Sequence, residues 1–367
     1  MMHRLVAAAC ALALAAATTF AALPGVAQTG DTPQALSIRG AGATFPAPLY
    51  AKWIESYRAE HPNVLLTYDA VGSGEGISRF LAGSVDFGAS DVPLTARDAA
   101  KVAGGVITIP ATAGMVVLAY NLPGVTGALK LPRDVYTGIF AGTVKRWDDP
   151  RIAAANPGMA LPRRDIVIVA RQDGSGTTAA FTSHLAAASP SWREQGLGVG
   201  TLIEWPAGAM LARGNEGVAS RIKISEGAIG YVEYGFAKRL GIPVAALQNK
   251  AGRFVAPSES AGQRALAQAS AATADDPRMT ILDPSGAEAY PIVTYSWLLL
   301  YRQYADARTS AAIKDFVGWG LTGGQKFAAA SVTCRCRQKS PAAAGRSSPT
   351  SVSNRTPAWS CRHAACE

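Results

Sequence analysis

The feature that most constrains this chain is a repeated cadence: a short apolar run, a glycine turn, then helical spacing. Residues 38–42 run through Gly40-Ala-Gly-Ala-Thr-Phe-Pro46 into a stretch where Leu49, Trp53, Ile54 and Tyr57 recur every three or four positions. Residues 64–71 lead through Gly72-Ser-Gly-Glu-Gly76 to a helix expected to start over 77–81. Residues 85–91 turn at Val92-Pro93 into a segment that Thr95 and Asp98 cap as a capping box. Such alternation implies a mostly parallel α/β sheet, with functional loops at the carboxyl ends of its strands.

The cadence returns most informatively after residue 165. The run Asp165-Ile-Val-Ile-Val-Ala170 enters Arg171-Gln-Asp-Gly-Ser-Gly-Thr177, and helical spacing follows from Thr178. A strand ending in a glycine-flanked Ser-Gly-Thr leaves free N–H groups, two hydroxyls and the positive helix end at one point, which is an anion site. Arg171 adds a planar, permanently charged fork suited to a tetrahedral oxyanion. The segment reads as a grip on phosphate.

Two β-rich stretches, 106–120 and 289–301, bracket the middle of the chain and read as a crossing between lobes and a return. Between them lie a helix over 131–140, a turn over 145–150, a strand over 228–234 and a helix over 258–272. Helices over 310–319 and 324–330 close the pattern. A chain that crosses out and back forms two lobes around a cleft, suited to enclosing a ligand by hinge closure.

Residues 1–27 read as a secretory signal peptide: Arg4, an Ala/Leu/Val run, and small residues ahead of a cut after Ala27. A membrane anchor or acylation at Cys10 fits less well, because the run is alanine-rich, ends at Pro24-Gly25 and continues past the thiol. The net charge of +9 invites a nucleic-acid reading, but residues 331–367 hold five Arg and one Lys against one Glu, so net +5 sits there. The remaining body lacks a basic stripe interleaved with aromatics, which argues against nucleic acid as a partner. Residues 28–333 contain no Cys, so the body needs no disulfide and has no thiol nucleophile.

Four blocks together resemble the periplasmic phosphate-binding proteins of high-affinity ABC phosphate transporters. They are Gly40-Ala-Gly-Ala-Thr-Phe-Pro-Ala-Pro-Leu-Tyr-Ala-Lys-Trp53, Val85-Asp-Phe-Gly-Ala-Ser-Asp91, Asp173-Gly-Ser-Gly-Thr177 and Gly227-Ala-Ile-Gly-Tyr-Val-Glu-Tyr234. The similarity runs from about residue 36 to about 330. It implies a two-lobed periplasmic binding protein of type II, each lobe a mixed, mostly parallel sheet flanked by helices. Lobe I would comprise 36–112 plus 292–330, and lobe II 113–291. It further implies that Thr44, Phe45 and Ser73 donate to phosphate, that Asp91 is the single acceptor, and that Arg171, held by Asp173, supplies charge. Ser175, Gly176 and Thr177 would complete the cage. The expected partners are inorganic phosphate and a membrane ABC permease with its ATPase subunits; the expected state is a periplasmic monomer, with no cofactor and no metal.

Two departures from the family pattern stand out. Glu75 places a carboxylate in a turn beside an anion site. From Ser331 the helical periodicity stops, apolar content falls, and Cys334, Cys336, Cys361 and Cys366 appear together. A reading-frame shift replacing the family's last helix is the favoured expectation, and a genuine disordered tail the alternative. A zinc site matches poorly, since His363 stands alone beside unevenly spaced Cys.

Asp91 would choose the ligand. Phosphate at neutral pH bears a proton that a carboxylate accepts, whereas sulfate bears none and would set lone pairs against a buried charge. Without the resemblance, Thr44 and Ser73 read as helix caps, Asp91 as a turn former and Arg171 with Asp173 as a structural ion pair. The rival functions are binding of another oxyanion, sulfate or molybdate, and a secreted hydrolase using Ser175 or Ser73. Neither serine has the Gly-x-Ser-x-Gly elbow, and His61 and His184 are the only histidines between leader and tail.

Overall fold

A computed structural model describes residues 35–272 and 281–330, with three two-residue strands beyond. The chain opens with β1 (Leu36–Gly42), α1 (Ala47–Glu60), β2 (Val64–Ala70), α2 (Ser73–Leu81), β3 (Phe87–Ser90) and α3 (Ala96–Ala99). The long strand β4 (Val106–Tyr120) follows. Then come β5 (Lys130–Leu131), α4 (Arg133–Phe140), α5 (Pro150–Ala155), β6 (Val167–Arg171), α6 (Gly176–Ala188) and α7 (Pro190–Glu194). The chain continues with β7 (Met210–Ala212), α8 (Gly214–Ile224), β8 (Ala228–Glu233), α9 (Tyr234–Leu240), β9 (Ala246–Gln248), β10 (Phe254–Val255) and α10 (Glu259–Ala272). β11 (Val293–Tyr301), α11 (Ala307–Leu321) and α12 (Lys326–Ala330) close the body.

The cadence folds as parallel sheet at both ends of the molecule. β1 pairs parallel with β2 and β3, and β6 pairs parallel with β7 and β8. Two antiparallel strands join these sets into one mixed sheet ordered β2-β1-β3-β11-β4-β8-β6-β7. The two-lobed α/β plan is present, but the lobes share a sheet through β4. Val106–Met115 pair with β11, whereas Val116–Tyr120 pair with β8. The β-rich stretch expected over 106–120 is one continuous strand. Pro110 lies inside it, and the register of β11 slips at Ser296/Trp297, next to that proline. A residue with no N–H breaks the ladder, and a bulge absorbs the break.

Alternation along β11 shows why its apolar run is unbroken. Leu298 and Leu300 join Ile38, Leu49, Trp53, Tyr57, Phe87 and Phe316 on one face, while Leu299 joins Ala41, Phe80, Val85 and Leu94 on the other. A strand covered on both faces needs apolar side chains at every position. Beyond Met115 the core continues through Leu118, Tyr120, Trp147, Phe140, Phe181 and Tyr231. α1 is tied to the end of the body: the Trp53 indole N–H donates to the Gly324 carbonyl at 2.9 Å, and the Tyr57 hydroxyl donates to Asp315 at 2.7 Å.

Several local expectations shift. α2 begins at Ser73 rather than near Ile77, because Gly72, at φ 97°, turns the chain and the remaining glycines fold into the first helical turn. At α3 the Thr95 hydroxyl accepts the Asp98 amide at 3.0 Å and donates to the Asp98 carboxylate at 2.8 Å, a cap without the reciprocal backbone bond. The leader and its cleavage point lie outside the described residues, as does most of the stretch after Ala330. Within that stretch Cys334–Arg335 make β12, antiparallel to β4 at Ala113 and Thr112. Arg337–Gln338 (β13) pair with Trp359–Ser360 (β14). Among the described residues no helix is long and apolar enough to cross a membrane.

Candidate functional site

Four strand-to-helix turns converge where the two halves of the sheet meet. β1 delivers Thr44 and Phe45 just ahead of α1, and β2 delivers Ser73 as the first residue of α2. β3 is followed directly by Asp91. β6 ends on Arg171 and leads through Asp173 and Ser175 to Gly176 and Thr177 at the start of α6. The turns touch. A Cβ on Gly176 would stand 2.5 Å from the Asp91 Cβ and 2.6 Å from Ser73 Oγ, and the Gly74 amide donates to the Gly174 carbonyl at 2.9 Å. All nine residues expected at the site are thus brought into one locality, and the polar ones are buried apart from Asp173, which is partly so: Asp91 is 3% exposed, Arg171 2% and Thr44 7%.

The hydroxyls share one arrangement. Ser73 Oγ accepts the Asp91 amide at 3.1 Å, and Ser175 Oγ accepts the Thr178 amide at 3.1 Å. Thr44 Oγ1 accepts from the Asn215 amide at 3.2 Å and from its side-chain Nδ2 at 2.9 Å; Thr177 Oγ1 accepts from the same Nδ2 at 3.3 Å. A hydroxyl oxygen already receiving an N–H keeps its own proton to give elsewhere. Gly176 and Thr177 add first-turn amides with no intrahelical acceptor, aligned with the helix dipole. Arg171 Nε donates to Asp173 Oδ1 at 2.8 Å and its Nη2 to Asp173 Oδ2, which locks the guanidinium plane and leaves Nη1 uncommitted. The Gly214 amide donates to the same Asp173 at 3.0 Å. Burial pushes the Asp173 carboxyl up, but the Arg171 guanidinium and the Gly214 amide prevail and hold it below the usual range.

Against these donors stands Asp91. Its Oδ1 has no hydrogen-bond partner. Burial pushes its carboxyl up to about 7, eased by the nearby Ser296 hydroxyl and the Arg171 charge. A second carboxyl, Glu233, lies 1% exposed behind the cage; burial pushes it up to about 8, and the Asp91 charge adds to the shift. A cage of aimed donors with one desolvated acceptor can hold a tetrahedral oxyanion that still carries a proton.

Glu75 does not intrude. It is exposed and accepts the Arg79 guanidinium at 2.8 Å, so its charge faces solvent. Sequence reasoning did not single out Asn215, Gly214 or Glu233 as site residues. Glu233 lies in the quoted block 227–234, and Gly214-Asn215 opens a helix after a short strand, the same local signal as the turns that were recognised. His184 is buried, with Tyr136 OH at 2.9 Å and Asp283 at 3.8 Å, and burial lowers its ring to about 4. A cleft of about 600 Å³ opens beside Thr44 and Asp173, lined further by Pro48, Val71, Arg213 and Phe236.

A profile described as the PBP superfamily domain matches residues 27–322. The phosphate-binding protein PstS of Pasteurella multocida is 39% identical over 295 residues, covering 80% of this chain and 84% of its own length. The protein of the same name from Haemophilus influenzae is 38% identical over 296 residues, covering 80% and 87%. Among solved structures, a high-affinity periplasmic phosphate-binding protein (PfluDING) bound with phosphate superposes with a TM-score of 0.67 at 25% identity, over 81% of this chain and 90% of its own. With its two-lobed α/β architecture and this similarity along most of its length, the chain belongs to the PstS family of phosphate-binding proteins within the PBP superfamily.

Proposed function

We propose that this chain binds inorganic phosphate in the periplasm and delivers it to the membrane permease and ATPase subunits of an ABC importer, acting as a monomer and without catalysis. The amides and hydroxyls of Thr44, Phe45, Ser73, Ser175, Gly176 and Thr177 donate to the phosphate oxygens, Arg171 supplies the charge under the hold of Asp173, and Asp91 accepts the phosphate proton. Residues 36–112 with 292–330 form one lobe and 113–291 the other, and β4 and β11 are the crossings about which the lobes open and close. A leader over residues 1–27 directs export.

The observation that carries this reading is the asymmetry of the cage: the hydroxyl oxygens of Thr44, Ser73, Ser175 and Thr177 are already acceptors, and Oδ1 of the buried Asp91 carboxylate is unpartnered. A sulfate or molybdate site would have no use for that acceptor. A hydrolase would need a base on its serine. Yet Ser73 and Ser175 each receive a backbone amide, while His184 engages Tyr136 and His61 stacks on Tyr57. Titration calorimetry of the mature chain with phosphate and with sulfate tests the proposal. Tight uptake of phosphate with weak or no uptake of sulfate is expected; equal affinity for the two anions would overturn it.

A further inference from the structure

We infer that Asn215 is a positioning residue that aims two of the cage hydroxyls at the ligand and ties the two halves of the site together; this rests on the phosphate reading above. Asn215 is fully buried as the second residue of α8, and every polar atom of its side chain is used. Its Oδ1 accepts the Glu233 amide at 2.9 Å, where β8 gives way to α9. That donor fixes which end of the side-chain amide is oxygen, so Nδ2 must face the hydroxyls of Thr44 and Thr177, at 2.9 and 3.3 Å.

The consequence follows from hydroxyl stoichiometry: one proton and two lone pairs. Thr44 Oγ1 receives both the backbone amide and Nδ2 of Asn215, which fills its acceptor capacity. Its proton can then serve only as a donor to something else. Thr177 Oγ1 is biased the same way by the shared Nδ2. Thr44 follows β1, on the far side of β4 and β11 from α8, so the Asn215–Thr44 bonds also span the two parallel sets of the sheet. They form only when the two sides are together, and they therefore favour the closed site. Asn215 itself does not have to touch the ligand.

The test compares phosphate binding by calorimetry in the full mature chain and four variants: Asn215→Asp, Asn215→Leu, Thr44→Val and the double variant Thr44→Val/Asn215→Leu. In Asn215→Asp a carboxylate oxygen replaces Nδ2 and draws the Thr44 and Thr177 protons toward itself. Phosphate Kd should rise about 10- to 100-fold, the range expected for lost hydrogen bonds to a charged group. Because Asn215 acts through Thr44, the double variant should lose much less than the product of the two single losses. A purely structural role would lower the melting temperature of the ligand-free chain, leave the phosphate Kd of the folded protein unchanged, and give independent effects in the double variant. If Asn215→Asp does not fold, Asn215→Leu and the double variant carry the same comparison. Wild-type Kd in the Asn215 variants, or losses that multiply, would overturn the inference and leave the phosphate reading intact. A wild-type chain that binds no phosphate would overturn that reading instead.

Discussion

Asp91 carries the selectivity of the proposed site because it is a carboxylate in the wrong place for a charge. Buried and with one oxygen unpartnered, it resists standing as a bare charge, and once ionised it tolerates an incoming anion only if that anion brings a proton to lie between them. Asp91→Asn should reduce the phosphate-over-sulfate preference, of about 10⁴–10⁵ for a site of this kind, by several orders of magnitude, as read by calorimetry with each anion. Arg171→Ala should weaken phosphate binding and also leave Asp173 without its charged partner, so its apo stability should fall as well. The same carboxyls shape stability against pH. Asp91 and Glu233 keep protons in the folded chain that the unfolded chain has released, so ligand-free stability falls as pH rises from about 6.5 to about 8. Below about 6.5 His184 works the other way, since the unfolded chain takes up a proton that the buried ring refuses. Denaturant melts across this window should show a negative slope that becomes shallower in Asp91→Asn and again in Glu233→Gln.

At the scale of elements, the site is a meeting of helix starts, and their close approach depends on glycine. Gly176 opens α6 against Asp91 and Ser73, with no room for a Cβ. Gly176→Ala should weaken phosphate binding more than it lowers the apo melting temperature, because separating the turns relieves the clash but opens the cage. Calorimetry paired with thermal melts distinguishes the two effects. Beside the cage, Arg213 precedes α8, is exposed on the wall of the cleft and forms no ion pair among the described residues, whereas the neighbouring Arg239 is paired with Glu216 at 3.1 Å. A lone cation at a cleft mouth raises the approach rate of anions more than their final affinity. Arg213→Ala should slow phosphate association severalfold at low ionic strength in stopped-flow traces, with the difference fading as salt screens the charge.

For the whole molecule, β4 and β11 decide the architecture. β4 runs from the first parallel set toward the second, β11 runs antiparallel beside its first part, and β4 changes partner at Met115/Val116. At the site, bonds such as Asn215 to Thr44 and Gly74 to Gly174 join the two halves. Ligand should therefore act as the main glue between lobes. Phosphate at 100 times its Kd should add about 2.7 kcal/mol of stability, and X-ray scattering should show a smaller radius of gyration when it is bound. The cage residues all lie between Thr44 and Asp91 or between Arg171 and Glu233, so a chain ending at Ala330 should keep the phosphate Kd of the full mature chain. A large loss on truncation would mean that β12, paired with β4 at Thr112 and Ala113, supports closure.

Much of this was legible from local chemistry. Strand–glycine turn–helix units announce themselves by period and by residues such as Gly72 and Gly176, and Arg171-Gln-Asp-Gly-Ser-Gly-Thr177 is an anion motif before any fold is known. Glu75 looked threatening because a sequence gives proximity along the chain and not direction; a pairing with Arg79 one helical turn away turned it outward. Asn215 escaped notice as a site residue because its role depends on a partner 171 positions away, at Thr44, and Glu233 because no spacing encodes its burial. The shared sheet escaped notice for the same reason, since the edge that each part of β4 pairs with is set by packing.

By itself the sequence determined the kinds of elements, their order, and the chemical character of each turn, because these depend on interactions within a few residues. Only the tertiary structure decided which turns meet, which oxygens are left as donors, and that Asp91 is dry enough to hold a proton, because hydrogen-bond partners and dielectric surroundings are supplied by segments distant in the chain.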